Sequence, residues 1–344
     1  MQRLKVVLFL LFINAHLVVA QNEASSPLRI MFYNVENLFD IFNDSLKNDD
    51  DFLPHGVLRW NYTRYTNKIS SLYKTIVAAG EWSPPEIIAM CEVENRSVLE
   101  DLLYGTYLSK YQYSIIHEES PDQRGIDVCL VFREDVLKMI DSNYWIPEGL
   151  NEEDFLTRKI LYFKFSFKGD TIHLIVNHWP SRRGGVLPGE HLRMKISDMI
   201  REKSDSVFLS NPEGSKIIIM GDFNSTPDDQ EIRILTTDSQ SGIRLVNLTE
   251  ELARSGTGTY RYQGTWEMID QVIVSEKLLN TSKGLYTGTA SFSIFRSDFL
   301  LMKDPKYPGF TPFATYRGYK YQGGFSDHLP VLLKLNFREQ DRPE

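Results

Sequence analysis

Cysteine and positive charge are both scarce in this chain of 344 residues. The chain has two cysteines, Cys91 and Cys129, which excludes a small fold held together by several disulfides. Each lies in an apolar strand pattern, so we expect two buried thiols rather than one disulfide. Lys and Arg number 38 against 46 Asp and Glu, which excludes a basic surface over the whole molecule but leaves a local basic cleft open.

Long hydrophobic runs occur only at the N-terminus. Residues 6–19 are mostly apolar, follow two basic residues and end at the small residue Ala20. This order is typical of a secretory signal peptide that is cleaved after Ala20. The run is short and is interrupted by polar residues, which disfavours a membrane anchor. We therefore predict a signal peptide at 1–20, one domain at 21–344, no stable membrane anchor, and a secreted or periplasmic protein.

The most informative stretch is KIIIMGDFNSTP, residues 216–227. Its apolar, mostly β-branched start predicts a buried strand that is broken by Gly221. Asp222 and Asn224 would then lie at the end of that strand, where α/β sheets place their sites. Glycine, aspartate, asparagine and proline are also common in ordinary turns, so this stretch alone leaves both interpretations open.

Strand and helix patterns alternate along the chain, which is typical of an α/β fold. Helices are predicted at 64–79, 97–104 and near 189–208, and residues 41–62 are predicted to form an exposed loop. Strands are predicted at 28–34, 86–91, 125–132, 159–168, 171–178, 217–220, 268–274 and 329–335.

Seven strand-edge positions present groups that are common in catalytic sites. They are Asn34, Glu92, Asp127, His178, Asp222 with Asn224, Asp270, and Asp327 with His328. One such residue is usually a helix cap or a turn residue. Phosphoester hydrolysis, however, needs hard oxygen ligands for a metal, a base for water and donors for the phosphoryl oxygens.

At this point the chain resembles the endonuclease/exonuclease/phosphatase superfamily. The resemblance runs from YNVEN at 33–37 to SDHLP at 326–330 and rests most on GDFN followed by a terminal SDH. The segments CEVEN, NHWPSR and TYRYQGTWEMIDQ are similar to an exported bacterial branch. The resemblance, together with the alternating pattern, implies an α/β fold of four layers, an α/β/β/α sandwich.

The resemblance also implies a role for each site residue. Glu92 and Asp327 would be metal ligands for Mg²⁺, with Mn²⁺ as the alternative. Asp222 would orient or deprotonate the attacking water, and Asn34 and Asn224 would hold the scissile phosphate and the water network on the metal side. His328 would be polarised by Asp270, and His178 would be oriented by Asp127.

Arginines near the predicted cleft bear on the substrate. Arg182 and Arg183 directly follow the strand of His178 and are predicted to bind substrate phosphate, because guanidinium pairs bidentately with phosphate oxygens. Further candidates for this rim are Arg124, Arg261 and Arg317. Glu36, Asn37 and Glu94 lie near motif positions but are interpreted as structural.

We therefore predict a metal-dependent hydrolase that uses direct attack by water. A nuclease is the first interpretation. A phosphatase or phosphodiesterase acting on a lipid headgroup, an inositol phosphate or a sugar phosphate is the alternative, and a non-catalytic binding module is the third. The expected partners are nucleic acid or a small phosphoester substrate, and no protein partner is predicted.

Overall fold

The computed structural model describes residues 26–81, 83–147, 157–182, 186–212, 214–238 and 241–339. The predicted signal peptide and Arg183 lie outside the described residues. Within the described residues, no helix is both long enough and apolar enough to cross a membrane.

The secondary structure follows the predicted alternation. The strands are β1 (Leu28–Leu38), β2 (Ile87–Val93), β3 (Tyr113–His117), β4 (Asp127–Arg133), β5 (Lys138–Trp145), β6 (Ile160–Phe167), β7 (Asp170–His178), β8 (Lys216–Asp222), β9 (Leu245–Asn247), β10 (Tyr260–Tyr262), β11 (Thr265–Glu267), β12 (Asp270–Ser275), β13 (Gly284–Tyr286), β14 (Phe292–Ile294), β15 (Leu301–Lys303), β16 (Phe310–Pro312), β17 (Tyr316–Arg317), β18 (Lys320–Tyr321) and β19 (Val331–Arg338). The α-helices are α1 (Tyr62–Ala79), α2 (Arg96–Tyr104), α3 (Val186–Ser210), α4 (Gln230–Thr236), α5 (Glu250–Arg254) and α6 (Glu276–Leu279).

Two large sheets contain most of the strands. The first has the order β13-β19-β1-β2-β4-β3, with β14 also paired to β19, and the second has the order β5-β6-β7-β8-β12-β9. Most neighbours are antiparallel, but β1 with β2 and β7 with β8 are parallel. Each parallel pair is joined through a helix, α1 in the first sheet and α3 in the second.

Three apolar layers hold the sheets and helices together. Inner faces of both sheets meet in one core that includes Phe32, Leu130, Phe163 and Val272. The outer face of the first sheet packs against α1 and α2, and the outer face of the second packs against α3 and α4. The predicted four-layer α/β/β/α sandwich is therefore confirmed.

Local sequence explains where the first helix begins. The Asn61 side chain accepts a hydrogen bond from the Arg64 backbone N–H and caps α1, which therefore begins at Tyr62, two residues before the predicted start. Ile69, Leu72 and Ile76 follow at helical spacing and are buried against the first sheet.

The loop predicted at 41–62 is only partly exposed. Trp60 is fully buried, and its indole N–H donates to the Phe39 carbonyl at 2.9 Å. Asp49 is also buried, at 1% exposure. The segment therefore folds back against the ends of β1 and β2 because its apolar anchors outweigh its polar composition.

Cys91 and Cys129 are free, buried thiols, as predicted. They lie on the adjacent strands β2 and β4, but Cys91 packs in the core between the sheets and Cys129 under the helices. Because side chains on the two faces of a sheet point apart, these thiols are not placed to pair.

Candidate active site

Three site residues lie side by side across the second sheet. His178 at the end of β7 is in register with Asp222 at the end of β8, and Asp222 is in register with Asp270 at the start of β12. This row exists because β7 and β8 run parallel while β12 runs against them. The predicted strand ends therefore meet at one edge of the sheet.

Gly221 is required for this row to form. Its φ is 151°, and a Cβ atom built there would lie 2.1 Å from the Asn177 carbonyl oxygen. Any other residue would push β7 and β8 apart just before the two site residues.

The first sheet supplies Asn34 and Glu92 from its parallel pair. Glu92 lies at an irregularity in β2 and has a φ of 62°, which is unusual for a residue with a side chain. The carboxylate Oε2 accepts a hydrogen bond from the Asn37 backbone N–H at 3.0 Å. Glu92 is thus turned out of the strand and held at the cleft.

Asn34 links the two sheets. Its Nδ2 donates to Asp222 Oδ2 at 3.0 Å and lies 3.3 Å from Glu92 Oε1. Its Oδ1 accepts from the Glu36 backbone N–H, which fixes the orientation of the amide. One buried amide therefore joins two carboxylates that come from different sheets.

The Ser326-Asp327-His328 turn closes the site. The Ser326 hydroxyl donates to the Asn34 carbonyl at 2.7 Å and accepts from the His328 backbone N–H at 3.1 Å. His328 Nδ1 contacts Asp270 Oδ2 at 2.8 Å, as predicted, and His328 Nε2 lies 3.9 Å from Asp222 Oδ2.

Asp270 and its neighbours make His328 strongly basic. Burial alone would lower the pKa of His328, but attraction to Asp270 outweighs it and the pKa lies well above its usual value. The Tyr260 ring packs beside the imidazole with centroids 5.0 Å apart. The protonated form of His328 is therefore favoured in the metal-free protein.

The pKa of His178 is shifted in the opposite direction. Burial, followed by the positive charge of Arg158, holds its pKa well below the usual value. Its Nε2 lies 3.7 Å from Asp222 Oδ2 and 3.9 Å from Glu92 Oε1. Its Nδ1 is buried and has no hydrogen-bond partner among the described residues.

Asp222 lies between the two imidazoles. Burial, with repulsion from Asp270 added, raises its pKa to about 7 despite the nearby His328 cation. Its Oδ1 accepts from the Asn224 backbone N–H at 2.9 Å. This carboxyl can therefore gain or lose a proton near neutral pH.

The prediction that Asp127 orients His178 is wrong. Asp127 Oδ2 contacts His117 Nε2 at 3.0 Å, and its Oδ1 accepts from the Ser120 backbone N–H at 2.7 Å. The reason is the pairing of β3 with β4, which sets His117 opposite Cys129, two residues from Asp127 on the same face. Asp127 thus belongs to a separate His–Asp pair.

Some of the arginines predicted to form a phosphate-binding rim line the cleft, and one does not. Arg182 lines the cleft, but its guanidinium is bonded to Asp229 and to the Asn224 carbonyl, the latter at 2.7 Å. Arg124 also lines the cleft. Arg261 instead donates to loop carbonyls and to Asp304 at 3.1 Å, so it holds a loop together.

The residues interpreted as structural have backbone partners. Glu36 accepts from the backbone N–H groups of Thr315 and Tyr316, at 2.6 and 3.0 Å. Glu94 accepts from the Asp40 backbone N–H at 2.6 Å.

Sequence reasoning missed Thr259 and gave no role to Ser326 of the SDH motif. The Thr259 hydroxyl donates to Asp270 Oδ2, the same oxygen that contacts His328. Thr259 follows a polar, glycine-containing turn, where nothing in the local pattern separates it from its neighbours.

The donor atoms at the cleft fit a divalent cation. Glu92, Asp222 and Asp327 offer carboxylate oxygens, which are hard ligands. Glu92 is 16% and Asp327 is 38% exposed at the side chain, so both reach the cleft, whereas Asp222 is buried. The cleft has a volume of about 450 Å³, and its walls also include His178, His328, Tyr260, Tyr262 and Glu267.

Comparison with known proteins agrees with this geometry. Residues 29–337 match the model of the Endonuclease/Exonuclease/phosphatase family. A protein of that family from Bacteroides thetaiotaomicron has a TM-score of 0.59 at 15% identity, with 92% of this chain and 99% of that chain covered. No curated protein matches this chain.

Two further solved structures have the same fold. A mannosyl-6-phosphatase from Bacteroides thetaiotaomicron has a TM-score of 0.57 at 16% identity and covers 90% of this chain and 100% of its own. D. rerio TDP2, complexed with a single-strand DNA product, has a TM-score of 0.55 at 14% identity, with 91% of this chain and 100% of that chain covered. At these identities the likeness concerns the fold alone.

Proposed function

The chain belongs to the endonuclease/exonuclease/phosphatase family, and from this premise we propose that it is a metal-dependent phosphoester hydrolase, in the first place a nuclease. One observation carries the proposal. Asp222 Oδ2 lies 3.0 Å from Asn34 Nδ2, 3.7 Å from His178 Nε2 and 3.9 Å from His328 Nε2. A carboxylate surrounded in this way is placed to accept a proton from a water molecule that attacks phosphorus.

Each side chain at the cleft then has its own role in the hydrolysis. Asp222 acts as general base, since a pKa of about 7 suits proton transfer at neutral pH. The His328 cation, held by Asp270, donates to a phosphoryl oxygen and stabilises the negative charge that develops there. His178 remains neutral and donates from Nε2, while Asn34 and Asn224 orient the water and the phosphate.

Glu92 and Asp327 would hold the cation, Mg²⁺ in the first place or Mn²⁺. When bound, a divalent ion would neutralise charge on the phosphate and on the leaving oxygen. Asn34 and the Asn37 backbone N–H keep the Glu92 carboxylate in place for this role.

The test of the metal assignment is Glu92→Gln. Activity should be lost and Mg²⁺ affinity should fall in calorimetric titration, while the circular dichroism spectrum stays that of the wild type. Glu100→Gln, an exposed carboxylate on α2, is the matched control and should keep both. Unchanged Mg²⁺ affinity in Glu92→Gln would refute the assignment.

Aromatic side chains at the cleft support the nuclease interpretation. Tyr260 and Tyr262 line it, Tyr260 lies beside His328, and Tyr262 is 54% exposed. Exposed rings beside a reacting phosphate can stack on nucleobases. The fold is also that of TDP2, which was crystallised with a single-strand DNA product.

Arginine pairing supports the alternative, a hydrolase of a small phosphoester such as a sugar phosphate. Arg182 forms an ion pair with Asp229, and Arg261 forms one with Asp304. The charges of these two predicted rim arginines are therefore neutralised within the protein. A cleft of about 450 Å³ also suits a small molecule. The mannosyl-6-phosphatase shares this fold.

A substrate panel with a salt series separates the two. Plasmid DNA, RNA, bis-p-nitrophenyl phosphate, sphingomyelin and inositol and sugar phosphates would be assayed with Mg²⁺ and with EDTA. A nuclease should lose DNA affinity steeply as salt rises, because bound phosphates release counterions. A small substrate should show only mild screening.

The variant Arg182→Ala gives a second way to distinguish a nuclease from a hydrolase of small phosphoesters. In a nuclease it should flatten the salt dependence on DNA and leave bis-p-nitrophenyl phosphate hydrolysis nearly unchanged. Arg254→Ala, an exposed arginine on α5, is the control and should change neither. Equal loss of both activities in Arg182→Ala would place this arginine in the phosphate pocket and remove the electrostatic support for a nuclease.

Export is the last part of the proposal and rests on the N-terminal pattern at 1–20. N-terminal sequencing of the protein recovered from its host should read from Gln21. A mature protein that begins at Met1 would contradict it.

A further inference from the structure

An acidic side chain that has no role in the proposed hydrolysis lines the cleft. It is Glu267, the last residue of β11, which is paired directly with Tyr260 of β10. The side chains of such a cross-strand pair lie on the same face of the hairpin. Because the Tyr260 ring packs beside His328, with centroids 5.0 Å apart, Glu267 lies on the face of the hairpin that is turned to the cleft.

The residue before Glu267 lies on the opposite face of the same hairpin. Side chains alternate along a strand, so Trp266 points away from the cleft. It packs there against an apolar cluster that includes Leu300, and the Arg296 guanidinium lies 4.5 Å from the centroid of its ring. The outer face of the hairpin is thus held by packing, which fixes Glu267 at the cleft wall.

The Glu267 carboxylate is half-buried and has neither a hydrogen bond nor an ion pair among the described residues. Burial raises its pKa, and the attraction of Arg182 offsets only part of this effect. The Arg182 guanidinium is already bonded to Asp229 and to the Asn224 carbonyl. Glu267 is therefore a hydrogen-bond acceptor for which the described part of the protein supplies no donor.

Charge decides which part of a substrate can meet this carboxylate. A carboxylate repels phosphate oxygens, so Glu267 does not bind the phosphate to which His328 is proposed to donate. The donors that lie nearest to a sugar-borne phosphate are the hydroxyls of that sugar. An ionised carboxylate accepts from one hydroxyl or, with one oxygen each, from two neighbouring hydroxyls. In dinucleotide-binding folds, an acidic side chain holds a ribose hydroxyl in this way.

We propose that Glu267 accepts a hydrogen bond from a sugar hydroxyl of the substrate and makes the cleft selective for phosphoesters of hydroxyl-bearing sugars. This inference rests on the proposed phosphoester hydrolysis and narrows its substrate class. RNA and sugar phosphates both supply such a hydroxyl, whereas DNA lacks the 2′-hydroxyl by which proteins distinguish the two nucleic acids. A site built to bond a hydroxyl discriminates against the analogue without it, because the acceptor is then left unpaired.

The experiment compares substrates that differ by one hydroxyl in each sugar. Single-stranded RNA is paired with DNA of the same sequence that contains uracil, and glucose 6-phosphate is paired with 2-deoxyglucose 6-phosphate, all with Mg²⁺. The wild-type kcat/KM should favour the hydroxylated member of at least one pair by about tenfold or more. The pair that shows the preference tells whether the sugar belongs to a nucleic acid or to a free sugar phosphate.

Two variants assign this preference to the carboxylate. Glu267→Ala should remove most of it, and Glu267→Gln, which keeps an uncharged acceptor oxygen, should remove less. Glu251→Gln, an exposed carboxylate on α5, is the matched control and should keep the wild-type preference. A variant that is merely destabilised would lose activity on both members of a pair equally, so the ratio within a pair reports on the hydroxyl contact.

Calorimetric binding of the same pairs in EDTA separates this inference from the proposed function. If the wild type binds the hydroxylated member more tightly and Glu267→Ala does not, but no substrate is hydrolysed, the hydrolase proposal fails and the role of Glu267 stands. A wild-type preference that survives in Glu267→Ala would overturn that role. So would the absence of a preference in both pairs, by kinetics and by binding.

Discussion

The two sides of the cleft hold histidines whose pKa values are shifted in opposite directions. His328 lies against Asp270 at 2.8 Å and has a raised pKa, whereas His178 is buried near Arg158 and has a lowered pKa. Both face Asp222, at 3.9 and 3.7 Å. The comparison teaches that a carboxylate behind a buried imidazole raises its pKa, whereas burial without such a partner lowers it.

Because of this difference, the two histidines have different roles in the proposed reaction. A protonated His328 can donate a proton to an anionic phosphoryl oxygen and can later take it back. A neutral His178 can only donate a hydrogen bond that orients and polarises the substrate or the attacking water. Replacing each by a neutral donor of similar reach should therefore have unequal effects.

The largest expected effect is on turnover in the histidine variants. His328→Ala and His178→Ala should each lower kcat by about 10²-fold or more, the scale of a lost acid or base. His178→Gln should recover part of the activity because an amide N–H replaces a neutral imidazole N–H, and His328→Gln should recover none. Steady-state kinetics on the best substrate checks this.

The double alanine variant adds a second check. Its loss should fall short of the product of the single losses, because residues that act as a unit are not additive. Equal recovery by glutamine at both positions would contradict the division of roles.

A smaller effect is expected for the aspartates behind the histidines. Asp270→Asn should lower kcat by at least about tenfold, since His328 loses the charge that keeps it protonated. Asp127→Asn is the matched control and should leave kcat within about twofold, because its imidazole partner is His117. A fall in kcat for Asp127→Asn as large as for Asp270→Asn would mean that the distal pair acts on the cleft.

Much of the site could be predicted because strand ends are visible in sequence. The apolar run before Asp222 and the terminal strand after His328 fix both residues at one edge of their sheets. Glu92 and Asn34 follow from the same logic applied to β2 and β1. These predictions needed only the location of each strand end.

Predictions that depended on which side chains meet were harder. The resemblance implies that Asp127 orients His178, yet the β3–β4 pairing brings His117 to Asp127, and that register depends on the turn between the strands. The contact of Thr259 with Asp270 depends on how the β10 turn packs over β12. Arg182 is adjacent to the cleft as expected, but its pairing with Asp229 is a tertiary contact.

The pKa difference itself can be measured by NMR on the metal-free protein. The His328 imidazole should stay protonated well above pH 6.5, and the His178 imidazole should stay neutral well below it. The stabilisation from charged His328 is complete below pH 6.5 and is lost as pH rises through its folded pKa. The stabilisation from neutral His178 is present above pH 6.5 and is lost as pH falls toward its folded pKa. Two titrations that overlap near pH 6.5 would contradict the comparison.

The smallest expected effect concerns the hydroxyl behind Asp270. Thr259 donates to Asp270 Oδ2, the oxygen that also contacts His328, so Thr259→Val should leave that oxygen with one donor fewer while preserving the shape of the side chain. A hydrogen bond to a charged group contributes about 1.5–3 kcal/mol, and because His328 keeps its contact with Asp270, only part of this should appear in kcat, as a change of about two- to tenfold. The direction of the pKa shift tells more than the rate, because an Asp270 carboxylate with one donor fewer attracts the imidazolium more strongly. The NMR pKa of His328 should therefore rise in Thr259→Val, while that of His178 stays unchanged. Thr257→Val, in the same turn and without a contact to Asp270, is the matched control. If the pKa of His328 does not move in Thr259→Val, the hydroxyl only packs against Asp270 and does not tune the pair.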